Sequence, residues 1–279
     1  MNALEVQDLA VRLGGTDVVR GVTFNLPRAT CLAIIGPNGA GKTTLLNVLC
    51  GFVRPNAGKL TFGGTDLTGL RPHQLASLGI ARTLQNVGLF PGLTVAENVM
   101  AGATCHARAG FWSALAGLPA SDRDERALRR RALDALDRVG IADTADSLPR
   151  QLPFAHRKRV ALARVLVAQP RLLLLDEPAS GLTETELPEL GQLITNLAAD
   201  ASVVVIEHRM DLMMSACDTI AVLDFGKLIA FGTPQQVQAD PAVTDAYLGA
   251  ERPAVERPPE GPPEAQPPEQ PRPEEQPHD

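Results

Sequence analysis

Residues 31–52 read CLAIIGPNGAGKTTLLNVLCGF, and few folds can accommodate such a stretch. CLAII (31–35) is short, continuous and apolar, which predicts a strand covered on both faces. TTLLNVLCGF (43–52) sets Leu45, Leu46 and Leu49 at helical spacing and closes on Gly51, which predicts a helix. The turn between them, GPNGAGKT (36–43), fits G-x-x-x-x-G-K-[ST]. In such a turn the glycines let backbone N–H groups close around phosphate oxygens while the helix N-terminus adds positive potential. Lys42 then reaches the β- and γ-phosphates, and the Thr43 hydroxyl is a ligand for Mg²⁺. The bland alternative is a glycine-rich turn with a solvated lysine; the strand before it and the helix after it argue against that.

The rest of the chain extends this pattern. Residues 4–35 hold short apolar segments with turn signals at Gly14-Gly15 and Pro27, which predict antiparallel strands leading into CLAII. Between about 94 and 168 the sequence turns helical. There Ser121 and Asp124 form a candidate capping box, and Leu128, Ala132, Ala135, Leu136 and Val139 line one apolar face before Gly140. Strands resume at LLLLD (172–176), SVVVIE (202–207) and TIAVLD (219–224), separated by helical stretches at 186–199 and 210–217. Such alternation predicts a mostly parallel sheet. FGKLIAFG (225–232) suggests a hairpin through Gly226, and 234–248 a final helix.

LLLLDEP (172–178) puts two acids on the end of the most apolar segment. A nucleotide-bound Mg²⁺ needs a carboxylate from a neighbouring strand, and attack on a γ-phosphate needs a second acid to hold the water. At the C-terminal end of a buried strand, Asp176 and Glu177 would stand where α/β folds bind ligands.

Composition narrows the setting. From Glu251 to Asp279 the chain is nearly all Pro, Glu, Gln and Arg, with Ala254, Val255 and Ala265 as its only aliphatic side chains, so 251–279 reads as a disordered tail. Eight acids against three arginines give the tail −5 of the chain's −6, which leaves the body near neutral and gives no basic field for nucleic acid. Cysteines 31, 50, 105 and 217 are scattered, in keeping with a reduced cytoplasmic setting. The start, MNALEVQDLAVRL, lacks the basic and apolar regions of a signal peptide, and FWSALAGL (111–118) is too short to cross a bilayer. A membrane role would therefore be that of a peripheral subunit.

With these residues in order, the chain resembles the ATP-binding subunits of ABC transporters over roughly residues 4–249. The carrying motifs are GPNGAGKTT (36–44), TLQNVGLF (83–90), a signature region at 152–156, LLLLDEP, ASGL (179–182) and VVVIEH (203–208). More narrowly, RTLQNVGLFPGLTVAENV, IEHRMDLMM and AYLG are similar to the branched-chain (hydrophobic) amino acid uptake subfamily. The resemblance implies an α/β fold with a P-loop NTPase (ABC ATPase) core, a mostly parallel sheet, an N-terminal antiparallel β subdomain and an inserted helical subdomain at about 94–168. The ATP-binding domain would occupy 1–250. The implied cofactors are ATP and Mg²⁺, held by Gly36, Pro37, Asn38, Gly39, Ala40, Gly41, Lys42, Thr43 and Thr44. Thr43, Gln85 and Asp176 would attend the metal, with Gln85 also sensing the attacking water and coupling to the membrane subunit. Glu177 would be the general base and His208 the γ-phosphate contact. The implied partners are membrane permease subunits, a second ATP-binding subunit and, indirectly, an extracytoplasmic solute-binding protein, on the cytoplasmic face of the inner membrane.

The sequence departs from the family at the signature. LSGGQ, relaxed to LPYGQ or LAYGQ in the subfamily, here reads Leu152, Pro153, Phe154, Ala155, His156. At Ala155 a Cβ could obstruct close approach or forbid a glycine-only backbone angle, while the helix expected at 157–168 (RKRVALARVLVA) still points its positive end there. Leu13 replaces the adenine-stacking aromatic, and Thr183 the usual Asp or Asn after SGL. The resemblance then allows an asymmetric heterodimer in which this chain's loop, Glu177 and His208 form the competent site with the partner's signature, or tolerated drift without asymmetry, in a heterodimer or a homodimer. Rival functions are a hydrolysis-impaired ATP-binding switch or scaffold and a soluble ABC protein of repair or translation. The latter usually carries paired cassettes or long coiled coils, which this chain does not show.

Overall fold

The structure, a computed structural model, describes residues 2–83, 87–103 and 119–249. Gln85, Cys105, the run 111–118 and the tail 251–279 lie outside them.

Among the described residues, ten strands form two sheets. β1 (Asn2–Leu13), β2 (Thr16–Pro27), β4 (Ala57–Phe62) and β5 (Thr65–Asp66) make a four-stranded antiparallel sheet in the order β2-β1-β4-β5. β3 (Cys31–Ile35), β6 (Ile80–Arg82), β7 (Leu172–Asp176), β8 (Ser202–Ile206), β9 (Thr219–Asp224) and β10 (Lys227–Gly232) make a second, ordered β10-β9-β3-β8-β7-β6. All of its pairings are parallel except the β9–β10 hairpin. Every residue of β3, β7 and β8 is buried. That is why these strands read as unbroken apolar runs and not as alternating ones.

Side chains alternate between two cores, as the two-residue strand period requires. Cys31, Ala33, Ile35, Leu173, Leu175, Val203 and Val205 face one of them. The helices packed there are α3 (Val95–Gly102), α4 (Pro119–Arg138), α5 (Phe154–Leu166), α6 (Leu187–Asp200) and α7 (Met210–Ala216). Leu32, Ile34, Leu172, Leu174, Val204 and Ile206 face the other, where helix α1 (Lys42–Leu49) brings Leu45, Leu46 and Leu49 against Leu4, Val6 and Leu9 of the antiparallel sheet. Helix α1 is thus held between the two sheets, and its N-terminus is fixed from both sides. A short helix, α2 (Pro72–Ser77), precedes β6.

Three expectations need correction. The chain is already helical at Pro119, so Ser121 and Asp124 lie within α4 and not at its N-terminus, where the capping reading needs them. The expected helix 234–248 is two helices, α8 (Pro234–Gln238) and α9 (Pro241–Gly249), because Pro241 has no N–H with which to continue the first. Helix α5 begins at Phe154 and not at Arg157; Pro153 precedes the first turn, and its carbonyl accepts from the Arg157 N–H at 3.1 Å.

Helix α3 is capped by Thr94, whose hydroxyl accepts from the Glu97 N–H while the Glu97 carboxylate accepts from the Thr94 N–H. Its Gly102 packs against α5 so closely that a Cβ there would lie 1.8 Å from the Arg164 carbonyl oxygen. Gly102→Ala should therefore force the helices apart and cost about 1–3 kcal/mol. Urea unfolding of the purified chain reads this directly, and an unchanged midpoint would contradict it.

Candidate active site

The β3–α1 turn is clamped by its neighbours. Gly36 has φ 147°, and a Cβ on it would lie 2.1 Å from the Leu223 carbonyl oxygen at the end of β9. Gly41, at φ 98°, would place a Cβ 2.7 Å from the Val18 carbonyl oxygen of β2. Only glycine fits either position, by backbone angle and by space alike. The Gly226 N–H of the β9–β10 hairpin donates to the Ala40 carbonyl at 3.0 Å and pins the turn from a third side. Asn38, Gly39 and Thr43 remain exposed around this rigid rim, and Thr44 is half-buried. Lys42 is buried, its ammonium donating to the carbonyls of Gly36 at 2.8 Å and Pro37 at 2.9 Å. Burial pushes the Lys42 ammonium below its ordinary value, and the nearby charge of Glu177 opposes this.

The tips of β7 and β8 supply the acids. The Asp176 carboxylate is 3% exposed and accepts from the Arg82 guanidinium at 2.7 Å. Arg82 also donates to the Asn47 side-chain oxygen of α1 at 2.8 Å, so one arginine joins β6, β7 and α1. Glu177 follows Asp176 in a left-handed conformation, φ 46°, with its N–H donating to the Ile206 carbonyl at 2.9 Å. The Glu177 carboxylate stands 3.9 Å from the His208 Nδ1, and both side chains reach solvent. Between these strand ends the buried Glu207 carboxylate accepts from the Ala179 N–H at 2.7 Å and the His208 N–H at 3.0 Å.

Lys42, Thr43, Asp176, Glu177 and His208 thus come together at the C-terminal ends of three adjacent parallel strands. The stretch 152–156 lies where α5 begins, and Ala155 lines a cavity together with Thr83, Asp176 and Glu177. Phe154 is exposed and packs on Gly181, Leu152, Ala155 and His156 are half-buried, and the His156 Nδ1 is buried without a hydrogen-bond partner. Ala155 sits in ordinary helical backbone, so no glycine-only angle is demanded there. Leu13 is 44% exposed beside the Gly14-Gly15 turn.

The ABC transporter family model matches residues 19–180, and a model for the branched-chain amino acid ATP-binding cassette transporter matches residues 227–253. The high-affinity branched-chain amino acid transport ATP-binding protein BraF of Pseudomonas aeruginosa is 39% identical over 88% of this chain and 97% of its own length. The corresponding LivG protein of Escherichia coli is 38% identical over the same shares. This chain belongs to the ABC transporter family. Among solved structures, the ADP conformation of an ATP-binding cassette of an ABC transporter superposes with TM-score 0.77 at 27% identity, covering 89% of this chain and 99% of that one. The lipopolysaccharide export system ATP-binding protein LptB of Haemophilus influenzae is 31% identical over 90% of this chain and 99% of its length.

For this ABC ATPase, sequence reading missed Arg82, Asn47, Glu207, Lys158 and Tyr247. The Tyr247 phenol, pushed up by burial, lies beside the Gly36 backbone. Glu207 carried a signal that went unused, since an acid ending a fully apolar strand mirrors Asp176. Arg82 carried none, because its partners lie 35 and 94 residues away. Arg82→Met should leave the Asp176 carboxylate buried without its cation and lower the unfolding free energy by about 3 kcal/mol. Asp176→Asn added to that variant should recover part of the loss. Urea midpoints at neutral pH compare the three proteins, and a single variant as stable as the parent would contradict the pairing.

Proposed function

We propose that this chain is the ATP-binding and ATP-hydrolysing subunit of an importer for branched-chain or related amino acids. It would act at the cytoplasmic face of the inner membrane as a peripheral subunit, on separate permease subunits and with a second ATP-binding subunit. The observation that carries the reading is the convergence of Lys42, Glu177 and His208 around a glycine rim too tight for any other residue. The names of the relatives support the substrate class.

In this reading the rim's N–H groups and the Lys42 ammonium bind the β- and γ-phosphates. An ammonium partly stripped of water offers its charge to phosphate with less hydration to lose. Mg²⁺ fits the donor set present, a Thr43 hydroxyl and an Asp176 carboxylate, since it keeps several waters and takes its other ligands from phosphate oxygens. When bound, it would neutralise charge developing on the phosphates. Arg82 holds Asp176 in place. Glu177 accepts the proton of the attacking water, and His208, within 3.9 Å of that carboxylate, reaches toward the terminal phosphate. Gln85 completes the proposed set.

The substitutions at Ala155 and His156 support asymmetry in a heterodimer, with this chain's own loop and acids in the stronger site. A hydrolysis-impaired switch is the competing outcome. In the assembled transporter, Glu177→Gln should cut ATP turnover by about 10²-fold or more while leaving MgATP affinity intact. Turnover equal to that of the parent complex would remove Glu177 from the proposed role. With permease, second ATPase and binding protein reconstituted, leucine, isoleucine or valine should raise ATP turnover; no response would assign another cargo.

A further inference from the structure

Lys158 is four residues along α5 from Phe154, so the two side chains share one face of the helix. The face meets residues 177–181. The Phe154 ring lies so near Gly181 that a Cβ there would be 2.7 Å from it. The Lys158 ammonium stands 5.7 Å from the centre of the same ring. It donates to the carbonyls of Glu177 at 3.3 Å, of Pro178 at 2.7 Å and of Ser180. A lysine has three N–H donors and no acceptor, so three carbonyls on one short loop match it completely.

The first of these carbonyls belongs to a strained residue. Glu177 holds φ 46°, a left-handed angle that a side-chain-bearing residue rarely adopts and that persists only where its surroundings impose it. Three contacts impose it from within the sheet and loop. The Glu177 N–H donates to the Ile206 carbonyl at 2.9 Å, the Ser180 N–H to the Glu177 carbonyl at 3.1 Å, and the Ala179 N–H to the Glu207 carboxylate at 2.7 Å. The fourth, Lys158, comes from the helix that begins at 154–156.

We propose that Lys158 is a positioning residue for Glu177, clamping the left-handed turn through its carbonyls so that the start of α5 and the acid move as one unit. This rests on the reading of Glu177 as the base. A tilt of the first turn of α5 would then alter the aim of the Glu177 carboxylate in the same chain. No contact between Lys158 and nucleotide is required.

The test uses the assembled transporter with Lys158→Met, which keeps the length of the side chain and removes its donors, and Lys158→Arg, which restores donors and charge. Lys158→Met should lower kcat for ATP by about 10- to 100-fold, the scale of a misaimed catalytic group, with KM changed less than about twofold. Lys158→Arg should keep most of the activity. In a Glu177→Gln background Lys158→Met should cause no further loss. Amide hydrogen exchange across 177–181 should speed up in Lys158→Met, a readout independent of turnover. If Lys158→Met fails to assemble, Lys158→Gln is read the same way. Parental kcat, a loss confined to KM, an Arg variant as impaired as the Met variant, or a further loss on top of Glu177→Gln would each overturn the proposal. Unchanged exchange overturns the clamp alone, whereas equal turnover by parent and Glu177→Gln complexes overturns the base reading beneath it.

Discussion

The site depends on three parallel strands ending at one level. Ile34 pairs with Ile206, and Ile206 with Asp176, so β3, β8 and β7 release their chains side by side. The glycine turn leaves β3, Glu207 and His208 leave β8, and Glu177 leaves β7. A shift of one residue in any of these registers would reverse which side chains face which core, and with every residue of the three strands buried such a slip is strongly opposed. The apolar packing that forms the sheet is therefore also what aligns the polar groups.

Charge is arranged around that line in an alternating way. Lys42 comes from α1, Arg82 from β6 and Lys158 from α5, and each faces acids at the tips of β7 and β8. Burial lowers the affinity of the Lys42 and Lys158 ammonium groups for their protons, and the charges of Glu177, and for Lys158 also Glu207, oppose that. Buried charges persist only when paired or well hydrogen-bonded. Here carbonyls of the glycine turn and of the 177–180 loop take up much of that task, and the Glu177 carboxylate faces His208 and solvent.

Legibility followed the physics of each element. CLAII, LLLLD and TIAVLD were readable to the residue because a strand covered on both faces leaves a continuous apolar run, and the glycine turn because only glycine can fill Gly36 and Gly41. β6, three residues long, carries too little pattern to be seen, and the start of α5 was placed three residues late because Phe154 and His156 have only middling helix propensity. The residues proposed to face nucleotide were legible through order and spacing along the chain. The residues that brace them, Arg82, Lys158 and Glu207, were not, since a single charged side chain has no period and its partners are set by tertiary packing. Tyr247 lies on α9, far along the chain from the Gly36 it approaches.

The central claim is that the glycine turn and the acidic strand tips grip one magnesium nucleotide. Calorimetric titration of MgATP into the purified full-length chain with its partner subunits tests it most directly. One saturable site per copy of this chain, abolished by Lys42→Met with folding intact, is the predicted result. Absence of saturable binding, or binding that survives loss of the Lys42 ammonium undiminished, would contradict it.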